Sequence, residues 1–144
     1  MSSTDYSTAL RTGIYTVLNG NITISGKTYK IYKDPVKGAT NRTYVILGPI
    51  IDNEDGSKDS FVYTGSIAIE TVDMSQAINP TRDLSESVNN KVRSLLKTSK
   101  GSTFTVSGYT LTVFRHGGST RLSEQLPDKR ISYRIIDIYE FVIQ

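Results

Sequence analysis

The sequence predicts an α+β domain in which a mostly antiparallel sheet has two α-helices packed on one face. Two stretches carry apolar residues at helical spacing, and several others alternate apolar with polar residues as half-buried strands do. The last stretch, residues 130–144, contains no Gly or Pro and begins with the same alternation, which is typical of a long strand. At 144 residues, one domain over residues 1–144 is the simplest organisation.

The first helix is predicted over residues 6–18, where the apolar side chains fall on one stripe. That stripe consists of Tyr6, Ala9, Leu10, Gly13, Ile14, Val17 and Leu18. Ser3 or Thr4 is suited to cap the start of this helix, and Asn19-Gly20 is a typical end.

Several strands are predicted between the two helices. A hairpin is expected over residues 22–32, followed by a short buried strand at residues 43–47 that ends at Gly48-Pro49. Residues 52–59 are acidic and polar and are predicted to form an exposed loop. A long strand over residues 61–72 follows, with apolar residues on one face and polar residues on the other, as in an antiparallel sheet with one wet face.

The second helix is predicted to begin near Asn79-Pro80 and to end before Gly101. A hairpin is expected over residues 103–115, and residues 116–129 are predicted to be a polar loop of unusual length. The second half of the terminal strand is apolar on both faces, so we expect it at the centre of the sheet. In a protein of this size, a neighbouring subunit is a natural cover for one of those faces.

Composition excludes several kinds of site. The chain has no cysteine, which rules out disulfides and thiolate metal sites, and no run of 18 apolar residues that would span a membrane. The net charge of +3 is only mildly basic. The densest basic stretch contains Lys27, Lys30, Lys33, Lys37 and Arg42. A solvated strand face and loop is the simplest interpretation of this stretch, and a nucleic-acid-binding surface is the alternative.

The motifs that carry chemistry are missing or incomplete. Residues 25–28 resemble the end of a phosphate-binding loop, but the preceding glycine is one place off and a strand is predicted to follow. His116 is the single histidine, and the acidic residues 52–59 lack the spacing of a calcium-binding loop. We therefore expect no enzyme activity, no metal and no cofactor.

The order of the elements resembles the tail terminator, or tail-completion, proteins of tailed bacteriophages, which join the tail to the head. The resemblance covers nearly the whole chain, from the first helix to a terminal strand that ends in Tyr139-Glu140-Phe141-Val142. It includes a strand of the type Tyr44-Val45-Ile46-Leu47-Gly48, the acidic loop, the long strand and the second helix. Relatives often carry a proline before that strand and a tryptophan after the long one, whereas this chain has Thr43 and Val72-Asp73 and no tryptophan.

The resemblance implies a structural virion protein without catalysis. Members of the family form rings, typically sixfold, that sit on the last ring of the tail tube, stop its growth and present a surface to the neck. The implied partners are further copies in a hexameric ring, the tail tube protein, a neck or head-completion protein, and genomic DNA that passes through the lumen without being read by sequence. The implied location is the tail–neck region of a virion assembled in the host cytoplasm.

A closed ring uses heterologous contacts, so each subunit needs two different complementary patches. The acidic loop and the basic end of the predicted polar loop have opposite charge, and two leucines are predicted to anchor the latter to a neighbour. The candidate assembly residues are Asp52, Glu54, Asp55, Arg121, Leu122, Leu126, Lys129 and Arg130. A small soluble binding module, possibly one that contacts nucleic acid through residues 27–42, and an enzyme with a scattered site are the alternatives.

Overall fold

The computed structural model describes residues 5–33, 43–53, 62–75, 82–97, 106–127 and 129–144. These residues form, in chain order, α1 (Tyr6–Leu18), β1 (Thr23–Ile24), β2 (Lys27–Thr28), β3 (Lys30–Tyr32), β4 (Thr43–Asn53), β5 (Tyr63–Ser75), α2 (Asp83–Leu96), β6 (Leu111–Gln125) and β7 (Ile131–Ile143). The predicted α+β class is confirmed. Within the described ranges, no helix has the length and apolar character needed to cross a membrane.

Five of the strands form one sheet in the order β3-β4-β5-β7-β6, and β1 and β2 form a separate two-residue ladder. All neighbours in the large sheet are antiparallel except β3 and β4. The terminal strand β7 pairs with β5 along its whole length, from Ile131 opposite Ser75 to Ile143 opposite Tyr63. Because β6 pairs with its other side, β7 is an interior strand, as its two apolar faces predicted.

Both helices pack on the same face of the sheet. The register places Ile67 beside Tyr139 and Ile69 beside Asp137, so these side chains point to one side, which is the side of the core. The core members with the least exposed surface are Leu10, Ile14, Leu18, Val45, Leu47, Ile67, Ile69, Val88, Val92, Leu96, Phe141 and Ile143. Burying each such side chain contributes about 1.5–3 kcal/mol, which makes this layer the main source of stability.

The predicted helical stripes are the buried faces of both helices. Six of the seven residues predicted for α1 are buried, and Val17 packs partly against the core. The residue before α1 is Asp5, while the predicted caps Ser3 and Thr4 lie outside the described residues. The described part of α2 begins at Asp83, and its predicted start at Asn79-Pro80 also lies outside.

The prediction that a strand ends at Gly48-Pro49 is wrong. Strand β4 continues to Asn53, with a register shift between Leu47 and Ile50 that accommodates the proline. Proline has no backbone N–H for the ladder and is tolerated in a sheet where pairing is already interrupted. A side chain at Gly48 would put its Cβ 2.9 Å from the carbonyl oxygen of Ala68, so glycine is required at this close approach.

The prediction of a polar loop over residues 116–129 is also wrong. Strand β6 runs to Gln125, so that only the turn to β7 remains non-strand among the described residues of this range. The ladder to β7 supplies the backbone hydrogen bonds, and β6 is an edge strand whose side chains are mostly exposed, so its sequence lacks an apolar alternation. The pairing of β6 with β7 shifts between His116 and Gly118, so that Gly117 has no partner on β7.

The hairpin predicted over residues 22–32 is present only in part. Ser25 and Gly26 have positive φ, at 50° and 81°, and turn the chain between the two short strands β1 and β2. After that turn, β3 leaves the hairpin and pairs in parallel with β4. Ile31 is buried in the core, and its burial favours pairing of β3 with the main sheet over continuation of the hairpin.

Candidate assembly surface

The two described helices cover one face of the sheet, and on the opposite face most described side chains are half-buried or exposed, with Tyr44 and Val72 buried. We name this opposite face the helix-free face. By register and alternation, its side chains are Tyr44, Ile46 and Ile51 of β4, Thr64, Ser66, Ala68, Glu70 and Val72 of β5, Arg134, Ile136, Ile138, Glu140 and Val142 of β7, and Val113, Arg115, Thr120 and Leu122 of β6. The chain thus places many aliphatic side chains on a surface that none of its own helices covers.

The large apolar side chains that are exposed in the described structure all belong to the helix-free face. Ile51 is 66% exposed, Leu122 45% and Val113 40%. Ile51 and Val113 border one shallow groove of about 280 Å³, whose floor includes Val142. Leu122 lies nine residues beyond Val113 on β6 and does not border this groove. Exposed apolar residues that share a groove with polar neighbours are typical of an interaction surface, whereas single exposed hydrophobics are ordinary.

Ile138, on the same face, also keeps part of its surface exposed, because residue 118 on the neighbouring strand is a glycine. This glycine lies opposite Ile138 in the ladder, and a Cβ built at Gly118 would have no heavy atom within 4 Å. The edge strand therefore provides no side chain to cover Ile138, which remains half-buried. A side chain of another molecule could therefore contact Ile138 at this position.

Charged cross-strand pairs lie among the aliphatic residues of the helix-free face. Arg115 Nε donates to Glu140 Oε2 at 2.7 Å, and Arg134 bonds to Glu70. Both arginines are exposed or partly exposed, so each pair contributes only about 0–1 kcal/mol to folding. Arg134 and Glu70 belong to the interior strands β7 and β5, so this pair places charge near the middle of the face.

The opposite, helix-covered side holds a buried carboxylate, Asp137, which is 1% exposed. It accepts hydrogen bonds from Asn89 Nδ2 at 2.6 Å, from Arg93 Nε and Nη2 at 3.1 Å each, and pairs with His116 Nε2 at 3.1 Å. Burial by itself would raise the pKa of Asp137, but the hydrogen bonds from these residues and Ser119 outweigh it and lower the pKa. This network ties α2 to the β6–β7 hairpin.

A hollow of about 500 Å³ lies beside that network, between the second half of α2 and the beginning of β6. Two of its walls are the rings of Phe114 and Tyr139, which stack with centroids 5.1 Å apart. The Tyr139 hydroxyl is buried without a hydrogen-bond partner among the described residues, and burial raises its pKa. His116 borders the hollow but is already engaged by Asp137, and the described residues contain no cluster of His, Asp and Glu that would hold a metal.

The structure separates the predicted assembly residues at the basic end. Arg121 points toward the helices and pairs with Glu86 of α2 at 2.5 and 3.0 Å, which lowers the pKa of Glu86. Its neighbour Leu122 lies on the helix-free face. Adjacent strand residues point to opposite faces, so these two cannot share one patch.

The remaining basic candidates form the turn between β6 and β7. Leu126 N–H donates to the carbonyl of Arg130 at 2.8 Å, and Lys129 N–H donates to the carbonyl of Leu126 at 2.9 Å. Lys129 has φ of 71°, in the left-handed region. Leu126 and Arg130 are half-buried, so Leu126 is not a freely exposed anchor.

The one described acidic candidate, Asp52, lies at the other end of the sheet. Asp52 belongs to β4, is exposed, and accepts a hydrogen bond from the Tyr6 hydroxyl, which contributes to the raised pKa of Tyr6 after the larger effect of burial. Its ladder row contains Gly65 and Phe141, near the end of the chain. Glu54 and Asp55 lie outside the described residues. The two charged ends are therefore distant patches of one subunit.

The Asp137 network and the hollow escaped the sequence analysis. The partners of Asp137 lie 18 to 48 residues away, so no local spacing connects them. One signal was available, because Asp137 is the only charged residue in the apolar run from Ile135 to Tyr139. A lone carboxylate at a core position of a strand indicates a partner elsewhere in the fold.

Comparisons with known proteins provide a structural relative. A chain of the solved structure described as the virion of native gene transfer agent (GTA) particle shares the fold with a TM-score of 0.71, over 99% of this chain and 100% of that chain. The two sequences are 14% identical, so the likeness is one of fold. No protein-family model matches the sequence. A search of curated proteins finds no match either.

Proposed function

We propose that this chain is a structural virion protein that forms a ring, of six subunits, on the end of a phage-type tail tube and joins it to the neck. The observation that carries the proposal is the helix-free face, where Ile51, Val113 and Leu122 are exposed on a domain whose other side is well packed. The fold supports the same function, because a chain of a virion particle shares it from end to end.

The helix-free face has the composition of an interface between subunits. Half-buried aliphatic residues such as Ile136 and Ile138 lie near its centre, and the Arg115–Glu140 and Arg134–Glu70 pairs lie among and beside them. A fully buried apolar centre with a polar rim is the usual anatomy of specific interfaces. Because a ring is heterologous, this face would meet a different patch of the next subunit.

The remaining features of the proposed function follow from the ring. The tail tube protein would bind on one side, and a neck or head-completion protein on the other, with genomic DNA passing through the lumen. The location would be the tail–neck region of the virion, after assembly in the host cytoplasm. No catalysis and no cofactor are part of the proposal.

Native mass spectrometry of the purified chain tests the ring directly, alone and after incubation with tail tubes. The expected result is a species of six chains, either in solution or on the tubes. Changing Ile51, Val113 and Leu122 to Ser should abolish that species and leave a folded monomer, because these side chains are exposed in the monomer. As a matched control, Ser87→Ala with Asn90→Ser changes exposed positions of α2 and should leave six-chain species intact.

A chain that remains monomeric with tail tubes, at the highest concentrations reached, would contradict the ring. Six-chain species that persist in the triple variant would retain the ring but reject the helix-free face as its contact.

A further inference from the structure

Three lysines are held over tyrosine rings around the edge of the sheet opposite β6. Lys30 lies on the helix-free side of this edge, and Lys33 lies over a ring of α1 on the other side. The ammonium of Lys27 lies 5.4 Å from the ring centroid of Tyr29, that of Lys30 lies 5.3 Å from Tyr32, and that of Lys33 lies 4.8 Å from Tyr15. We name these six residues the lysine–tyrosine row. Its lysines lie on β2, on β3 and immediately after β3, which is an edge strand of the sheet.

The row is mounted on ordered structure. Tyr29 is buried, and Tyr32 packs edge-on against Tyr44 with centroids 5.7 Å apart. Arg11 bonds to the backbone carbonyls of Lys33 and Gly48, which fixes the end of β3 to β4. A cation over an aromatic face is attracted by about 0.5–1 kcal/mol at exposed sites, so the ammonium groups are positioned before any partner arrives.

The positive charge of the row is not neutralised within the described part of the chain. Residues 27–33 contain three lysines and no acidic residue, and none of the three forms an ion pair with a described carboxylate. Four arginines, by contrast, each form an ion pair with an acidic side chain, namely Arg93, Arg115, Arg121 and Arg134. The row alone carries as many positive charges as the net charge of the whole chain, +3.

We infer that the lysine–tyrosine row binds the phosphate backbone of double-stranded DNA. Ammonium groups act as point charges toward phosphate oxygens, and a row without base-reading side chains gives sequence-independent binding. The choice of DNA as the polyanion rests on the proposed virion function. The charge and the geometry of the row are observed independently of that function. The affinity falls with salt, because each neutralised phosphate releases counterions.

Fluorescence anisotropy with a short labelled duplex of random sequence, measured over a series of KCl concentrations, tests the inference on the full chain. Changing Lys27, Lys30 and Lys33 to Gln should weaken binding at low salt. It should also reduce the slope of log affinity against log salt by about 0.9 for each lysine that contacts a phosphate. The control variant changes Arg82, Lys91 and Lys97 to Gln, which removes the same charge elsewhere and should leave the slope nearly unchanged.

Tyr32→Leu adds a test of positioning, because it keeps all three lysines and removes one ring. We expect weaker binding than in the unchanged chain but stronger binding than in the triple Lys→Gln variant. Thermal unfolding of each variant shows whether the fold is retained.

Three outcomes would overturn the inference. The unchanged chain would show no salt-dependent binding, or both triple variants would lose binding equally, or poly-glutamate would displace the duplex at equal charge, which indicates an acidic protein as the partner. Native mass spectrometry of the Lys→Gln variant distinguishes this failure from failure of the ring, because the row lies away from Ile51, Val113 and Leu122 and its loss should leave six-chain species intact.

Discussion

In its second half, β7 is mostly apolar on both faces, yet the described helices cover only one of them. Ile135, Tyr139 and Phe141 lie under the helices and are nearly inaccessible, whereas Ile136 and Ile138 on the other face stay half-buried. The helices cover one side of the sheet, and on the other side Gly118 of the edge strand has no side chain to cover Ile138. A strand that is apolar on both faces thus need not bury both when the chain folds, and under the proposed function a neighbouring subunit would cover the second face.

The largest expected effect comes from removing the part of β7 that serves both faces. Deleting residues 139–144 eliminates Tyr139, Phe141 and Ile143 from the core, and loss of one such side chain costs about 2–5 kcal/mol. The sum of about 6–15 kcal/mol is as large as the whole stability of about 5–15 kcal/mol that domains possess, so the truncated chain should be unfolded. Circular dichroism with urea titration measures this. A cooperative transition in the truncated chain would show that the core does not depend on the end of β7.

The second effect concerns the covered face, where Asp137 is the one charged group of β7. Asp137→Ala leaves Arg93 and Asn89 without their acceptor, which should cost about 3–5 kcal/mol, toward the lower end because Arg93 is one third exposed. Urea titration at neutral pH gives the value. Ser132→Ala, at a buried polar position of the same strand, is the control and should cost less.

Asp137 also predicts a pH dependence. Its pKa is lower in the folded chain than in the unfolded chain, so the unfolded state binds more protons in the interval between the two values. The stabilisation is complete above the unfolded pKa of about 4 and is lost as the pH falls through the lower folded pKa. Stability of the unchanged chain should therefore drop more steeply below pH 4 than that of Asp137→Asn. Parallel acid transitions in the two proteins would contradict this contribution.

The fold was predictable where the sequence pattern is strong and local. The stripe of α1 and the apolar alternation of β7 determine those elements, because each must bury a face against something. Strand β6 was missed because an edge strand with one exposed face can be polar, and Gly117-Gly118 resembles a turn. Of two adjacent residues predicted for assembly, Leu122 lies on the helix-free face and Arg121 points to the helices, a division that appears only once the segment is known to be a strand.

A matched pair of substitutions sharpens the comparison between the faces of β7. Ile135 is 2% exposed and Ile138 is half-buried, so Ile135→Ala should cost about 2–5 kcal/mol and Ile138→Ala clearly less in the isolated chain. If a neighbouring subunit covers the helix-free face, Ile138→Ala should destabilise the assembled ring by more than the monomer. Unfolding measured on monomer and on ring gives the two values. Equal costs of Ile138→Ala in both states would mean that the helix-free face is not an interface.

The smallest effect on folding, and the most selective one on assembly, is expected at the acidic end of β4. Asp52 is exposed, so reversing the charge of Asp52, Glu54 and Asp55 to Lys should change the free energy of unfolding by only about 0–1 kcal/mol for each charge. A ring needs a second patch that is complementary to the first, and this end of the sheet lies far from the turn that carries Lys129 and Arg130.

If the acidic end meets that basic turn on the next subunit, the reversed chain should stay folded but fail to form six-chain species at low salt. Reversing Lys129 and Arg130 to Glu in the same chain should then restore the ring, because attraction between subunits is regained with opposite signs. Native mass spectrometry of the single and combined variants measures both steps. If the reversed acidic chain still forms six-chain species, or if the combined variant remains monomeric, the acidic end and the basic turn do not meet, and the second patch lies elsewhere.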